Sequence, residues 1–536
     1  MSLFRSRKIH FEQQIIAWLL LAVYGLVVLG PILVLVISTL QEVFPKHIDW
    51  LSLAVPSGRS LGLLLNSLAL ALAVSFFSML IGGMVAVKLW TWQSRIPGLL
   101  IWLVLPLAAI PPYIYAISWF ALQDLTGGSL DITLFSLNRW SGSFLVMVAA
   151  NSPITLGCTW LGLRMIDPGL IEIGRTYRSD LRVLLQIVTP LCAPALLTGG
   201  GIVFLLSLLD YSVPSLLGLH VYAMEIFAEF SASSNPQRAF LISLPLMILA
   251  VFVVIKLLEP LRTLTMRAVN SRPSYGIRML FPGWFSGVLW IGVGLFILMT
   301  CSPLLVAIAK SGGFSSIALT TGSARQDFLY SVWMAGIAAL LCIPLAMLAK
   351  RFLQSSGRSI KAGWLLIILP LAIPASLLGI GFILISNGFS QQPDAIKDHM
   401  PAIVQSIRYV PLAVLLVIAQ TRRSDPLLQD AARVYQASWW RRQLQIAAPL
   451  NASGVLAGSG IVFALSMGEL GATMMVLPPG RATLTMRIYN YLHYGASDTV
   501  AGLILILMLG IVLGGLSAGI ILVIWSRLTA ASEIIR

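Results

Sequence analysis

The sequence predicts an all-α polytopic membrane protein of about twelve transmembrane helices, arranged as two parallel six-helix repeats. Three observations carry that prediction. Only 10% of the 536 residues are charged while 58% are hydrophobic, against roughly 25% charged in a typical soluble domain. The apolar residues fall in blocks of about twenty, the length that crosses a hydrocarbon core of about 30 Å. The two halves of the chain also align with each other. This composition excludes a water-soluble globular protein, a disordered regulator and a disulfide-stapled secreted module.

The basic start, with Arg5, Arg7 and Lys8, precedes an apolar run too long for a signal peptide and lacking a small-residue cleavage site, so a retained first span is expected. The predicted spans of the first half are 15–40, 61–87, 98–121, 143–163, 191–209 and 239–258. Those of the second are 284–306, 328–349, 362–386, 403–420, 450–468 and 501–525. The runs are continuously apolar rather than alternating at period two, which favours helices over a β-barrel. With both termini in the cytoplasm, the inner segments collect 25 of the 35 Lys and Arg residues. Inverting the chain would reverse that bias. Four single cysteines, Cys158, Cys192, Cys301 and Cys342, sit in apolar stretches and read as packing residues.

The duplication is visible in irregular residues as well as apolar ones. Asn66-Ser67 aligns with Tyr330-Ser331, and Pro106-Leu107 with Pro370-Leu371. Pro153, Asp167, Pro168, Glu172, Arg175 and Tyr177 align with Pro411, Asp425, Pro426, Asp430, Arg433 and Tyr435. After one added residue, Pro190 and Asp210 align with Pro449 and Glu469. The expected organisation is a first repeat over 1–260, a basic connector over 261–282 and a second repeat over 283–536. Equivalent elements at equal depth and on the same side imply a pseudo-twofold axis along the membrane normal.

The richest signal is the loop between the fourth and fifth spans of each half, 167–190 and 425–449. Each opens on Asp-Pro, which suits a helix start: the carboxylate accepts an orphan N–H, and Pro has none to satisfy. Glu172 and Asp430 follow where the positive end of the helix dipole favours an acid. A surface-lying amphipathic connector is one reading; duplication of the same irregular loop points instead to a partner shared by both halves.

Both loops resemble the Glu-Ala-Ala motif of binding-protein-dependent ABC importer permeases, which continues with Gly four residues on and ends Ile-x-Leu-Pro. The second copy reads Asp430-Ala431-Ala432, then Gln436 at the Gly position, Ile446, Ala448 and Pro449. The first reads Glu172-Ile173-Gly174, with Arg178 at the Gly position and Pro190 at the end. Neither copy keeps the motif Gly. The resemblance covers nearly the whole chain and implies two type I importer permease repeats whose loops dock on a pair of cytoplasmic ABC ATPase subunits. Asp167, Glu172, Gly174, Arg175, Asp425, Asp430, Ala431, Ala432 and Arg433 are the expected coupling residues. None of the eight lysines follows a glycine, so the chain lacks a phosphate-cradling Gly-Lys-Ser/Thr loop. ATP is expected to be used by the partner ATPase, and no cofactor, catalytic residue or metal site is expected in this chain.

Asp210 and Glu469 stand near the outer end of the fifth span in each half and are substrate-path candidates for a cation, or else helix-end residues hydrogen-bonded locally. The stretch from Gly468 to Ala496 resembles the iron(III) branch of these permeases, in which both halves are often fused. That implies a periplasmic or lipid-anchored substrate-binding protein as a further partner, in the bacterial inner membrane. Membrane lipids complete the expected partners, and nucleic acid is not among them. A thiamine or other small-cation importer is the alternative cargo reading, and an ion-coupled secondary transporter the rival class. The spans are nearly free of the midplane ionisable groups that the rival would need.

Overall fold

A computed structural model describes residues 2–46, 53–92, 100, 104–125, 139–267, 278–353, 360–388, 394–423, 441, 446, 448–493 and 497–534, and among these it is helical with no strand. The helices of the first half are α1 (Ser2–Lys46), α2 (Arg59–Trp90), α3 (Pro112–Leu125), α4 (Arg139–Arg164), α5 (Pro168–Tyr177), α6 (Asp180–Leu209), α7 (Ser212–Leu216), α8 (Tyr222–Ser233) and α9 (Pro236–Arg267). Those of the second are α10 (Gly283–Lys310), α11 (Phe314–Leu353), α12 (Ile360–Ile368), α13 (Ala375–Gly388), α14 (Asp394–Arg423), α15 (Ala448–Met467), α16 (Thr473–Val476), α17 (Leu484–His493) and α18 (Ser497–Ile534).

Among the described residues ten helices are long and apolar enough to cross a membrane, and one bent helix pair makes an eleventh. The bent pair is the expected span 362–386. A 3-10 turn at Leu369–Ala372 ends α12, and the chain turns by 97° before α13. The cause is local. Ile373 precedes Pro374, whose ring pushes its predecessor out of the helical region, and Ile373 adopts φ −93°, ψ 125°. The first half repeats the device: a 3-10 turn at Leu105–Ala109, then Ile110 at φ −69°, ψ 124° before Pro111. The start of that expected span, 98–121, lies outside the described residues.

The chain divides into two compact units. One holds 1–48, 332–480 and 513–536, the other 49–331 and 481–512. In the first, α1 packs on α13 and α12. Gly25 faces Leu366, and Gly381 lies so close to the backbone of Pro31 that no Cβ would fit; close backbone approach through small residues is how helices associate in lipid. Tyr24 is fully buried there, its hydroxyl donating to the Ile367 carbonyl at 3.4 Å. In the second unit α4 is the most enclosed long helix, held between α2 and α6. There α10 packs on α2 and α3. Gly292 sits over Met84, and Lys88 Nζ stands 4.5 Å from the Trp290 ring centroid. Cys192 and Cys342 are buried, each thiol donating to a helix carbonyl, of Thr159 at 3.6 Å and of Ser406 at 3.4 Å.

Candidate functional site

The first duplicated loop folds as α5. Asp167 is its N-cap, with an extended backbone and Oδ1 accepting the Gly169 N–H at 2.9 Å, and Pro168 is the first helical residue. The helix closes at Tyr177, after which Arg178 is extended and donates its N–H to the Gly174 carbonyl at 3.0 Å. One face is buried through Ile171 and Gly174. Gly174 is there because a Cβ would meet Ile187 Cδ1 at 2.6 Å. The adjoining face is apolar and exposed: Leu170 is 47%, Ile173 63% and Tyr177 86% accessible. These positions are three and four apart, so they form one stripe, with the exposed Glu172 beside it.

Arg175 does not join that stripe. Its Nε and Nη2 donate to the two Asp180 carboxylate oxygens at 2.7 and 2.8 Å, and Nη2 also donates to the Arg278 carbonyl at 2.6 Å. Bonding to Asp180 raises the guanidinium above its ordinary pKa. At the start of α5, Asp167, Leu170, Leu191, Pro194 and Leu264 line a cleft of about 260 Å³. In the second loop Asp425, Asp430, Ala431, Ala432 and Arg433 lie outside the described residues.

Asp210 and Glu469 each accept backbone N–H groups at the start of a short helix after the fifth span of their half. Asp210 Oδ1 accepts the Ser212 N–H at 3.0 Å and the Ser212 hydroxyl at 2.6 Å, at the start of α7. Glu469 is only 3% accessible. It accepts the Ala472 and Thr473 N–H groups at 2.8 and 2.9 Å, the Thr473 hydroxyl at 2.5 Å and Arg408 Nη1 at 2.7 Å. An ionised carboxylate has about four acceptor positions, so in this conformation Glu469 is committed to protein donors. Gln405 Nε2 extends the cluster to the Thr473 hydroxyl at 3.0 Å. Among the described residues no group of three or more His, Cys, Asp or Glu is placed to hold a metal ion.

The chain is similar over 430 residues, at 22% identity, to an Fe(3+)-transport system permease protein of Haemophilus influenzae, covering 76% of this chain and 80% of that protein. A Salmonella typhimurium protein provisionally named as a 2-aminoethylphosphonate transport system permease is 31% identical over 193 residues, 35% of this chain and 71% of its own. A molybdenum transport system permease protein of Mycobacterium tuberculosis is 30% identical over 224 residues, 37% of this chain and 81% of its own. No family model matches. The chain belongs to the permease family of ABC importers. The phosphonate and molybdenum permeases are each about half as long as this chain.

Two further pairs of contacts in the permease went unread in the sequence. The Ser67 hydroxyl accepts the Tyr222 N–H at the start of α8, and the Ser331 hydroxyl accepts the Leu484 N–H at the start of α17, both at 2.8 Å. The two serines are aligned in sequence, so the same kind of bond occurs once in each half. Beside each lies an ion pair of reversed sense. Arg59 on α2 meets Glu225 on α8 at 3.5 Å, while Asp327 on α11 meets Arg487 on α17 at 2.6 Å. The Ser67–Ser331 alignment was the available signal; nothing in the pattern indicated the charge exchange. The stripe Leu170, Ile173, Tyr177 and the buried partner Arg408 were also missed. Arg408 lies within α14.

Proposed function

We propose that the chain is the permease of an ATP-driven importer for iron(III), delivered by an extracytoplasmic binding protein and moved by alternating access that two separate ABC ATPase subunits drive. The cargo reading rests on the reach of the relatives: the Fe(3+)-transport permease is matched across 76% of this chain, the phosphonate and molybdenum permeases across 35% and 37%. The reading of α5 as a coupling helix rests on one observation, a capped ten-residue helix with a buried small-residue face and an exposed apolar one. Such an element transmits a push that a loose loop would absorb. The basic-residue bias supports placing both termini and both duplicated loops on the cytoplasmic side, and the permease relatives support a bacterial inner membrane. This chain binds no nucleotide in the proposed scheme; ATP is consumed by the partners.

A role for Asp210 and Glu469 in guiding cargo requires their bonds to helix starts to open in another state of the cycle. Replacing both with neutral isosteres lowers uptake if that happens, and unchanged uptake kinetics would remove the role. The class and cargo are tested together by native-membrane purification in mild detergent. Two nucleotide-binding subunits per chain and ferric iron on the co-purified binding protein are expected. A chain that purifies alone, yet transports under an ion gradient when reconstituted, would overturn the assignment.

A further inference from the structure

The first coupling loop is bonded to the segment that joins the two sequence repeats. Arg175 grips Asp180 through two N–H···O bonds and donates a third to the Arg278 carbonyl, 103 residues further along the chain. Asp180 closes the circuit by accepting the Leu280 N–H at 2.5 Å. The carboxylate is well sheltered, with 11% of its side chain accessible, and the guanidinium partly so. Two-pronged Arg–carboxylate bonding of this kind fixes orientation as well as distance.

The repeat alignment makes the arrangement particular to the first half. Arg175 has a counterpart in Arg433, but the position of Asp180 aligns with Ser438, or with Trp439 after the added residue, and neither is an acid. The first loop is also the one whose repeat is followed by the connector. Three residues beyond Leu280 the chain enters α10, which rests on α2 through Met84 and Lys88.

We propose that Arg175 and Asp180 are positioning residues that make connector residues 278–280 part of the first coupling site, so that displacement of α5 reaches the start of α10 as well as α6. The proposal rests on the reading of α5 as a coupling helix. The connector is then a strut in the coupling machinery rather than a tether, and the two ATPase contacts of the chain are mechanically unequal. A chain of hydrogen bonds between packed elements is the physical carrier such a relay needs.

The test uses the full-length permease purified with its ATPase subunits, as wild type and as Asp180→Asn. Hydrogen exchange is followed in the peptide spanning 278–282, and ATP hydrolysed per cargo transported is measured in liposomes with the loaded binding protein. Asp180→Asn is expected to speed exchange of the Leu280 amide by about tenfold, the size of one lost charge-assisted hydrogen bond, and to raise the ATP cost per transport event with ATPase stoichiometry unchanged. Arg175→Lys keeps the charge but not the two-pronged geometry. It is the second variant should Asp180→Asn fail to accumulate, and the same two changes are expected. Asp180→Glu should recover part of both. Exchange unchanged in both variants overturns the clamp. Faster exchange with an unaltered ATP-to-cargo ratio overturns the positioning role and leaves a merely structural contact. A wild-type chain that carries no ATPase overturns the coupling reading itself, and the relay with it, whatever the exchange result.

Discussion

Gly174 and Glu469 illustrate how differently single residues act in this permease. Gly174 is needed for its absence of a side chain, because α5 presses on Ile187 at that point. Gly174→Ala is expected to cost about 1–3 kcal/mol of local stability, the usual size of overpacking, and to tilt α5 outward. Faster hydrogen exchange across 168–177, without loss of membrane insertion, would register it. Glu469 matters through its charge. Removing it in Glu469→Gln leaves Arg408 inside the span without its carboxylate, costing up to about 3 kcal/mol, the low end for a broken buried pair because Arg408 keeps some access to solvent. Thermal unfolding in one detergent should rank Glu469→Gln below the double variant Arg408→Met, Glu469→Gln. The reverse order would show that the pair does not carry the cluster.

At the scale of elements, α5 and the bent pair α12–α13 are the parts whose shape predicts behaviour. Ile173→Asp and Tyr177→Asp place charge on the exposed stripe without touching the buried face. Each should weaken co-purification of the ATPase subunits by roughly tenfold or more, as loss of a central apolar anchor does at other interfaces, while the chain still inserts. Glu172→Lys, beside the stripe, should have a smaller effect. Equal retention of ATPase in all three would mean that the stripe faces something else. The turn at Ile373 depends on Pro374, so Pro374→Ala removes the steric reason for the break. Reduced transport with normal ATPase binding is expected, read as uptake per assembled complex.

For the whole molecule, the duplication predicts function in pairs with local exceptions. The Ser67–Tyr222 and Ser331–Leu484 bonds recur at repeat-equivalent positions, but the accompanying ion pairs are reversed in sense and the Arg408–Glu469 pair has no first-half partner, since Ala150 aligns with Arg408. Cysteine labelling on a background lacking the four native cysteines tests the proposed orientation. Ser179→Cys should react only from the cytoplasmic side and Ser234→Cys only from the outer side; the opposite pattern would invert the topology.

The helical, multi-pass architecture was legible in the sequence, because a bilayer imposes its thickness on sequence as apolar length. The start of α5 was equally legible: Asp-Pro caps a helix through groups at most two residues apart. The breaks at Ile110 and Ile373 follow from the prolines after them, again a local steric effect. What the sequence could not decide were partners distant along the chain. Arg175, expected among the coupling residues, bonds the Arg278 carbonyl 103 residues further along the chain. Glu469, weighed as a cargo guide, is paired with Arg408, 61 residues away in the chain. Leu170, Ile173 and Tyr177 read as ordinary apolar residues until packing left them outside. A side chain's type and spacing set what it can bond, but burial and long-range contacts select which bond is made, and only the tertiary structure brings those choices together.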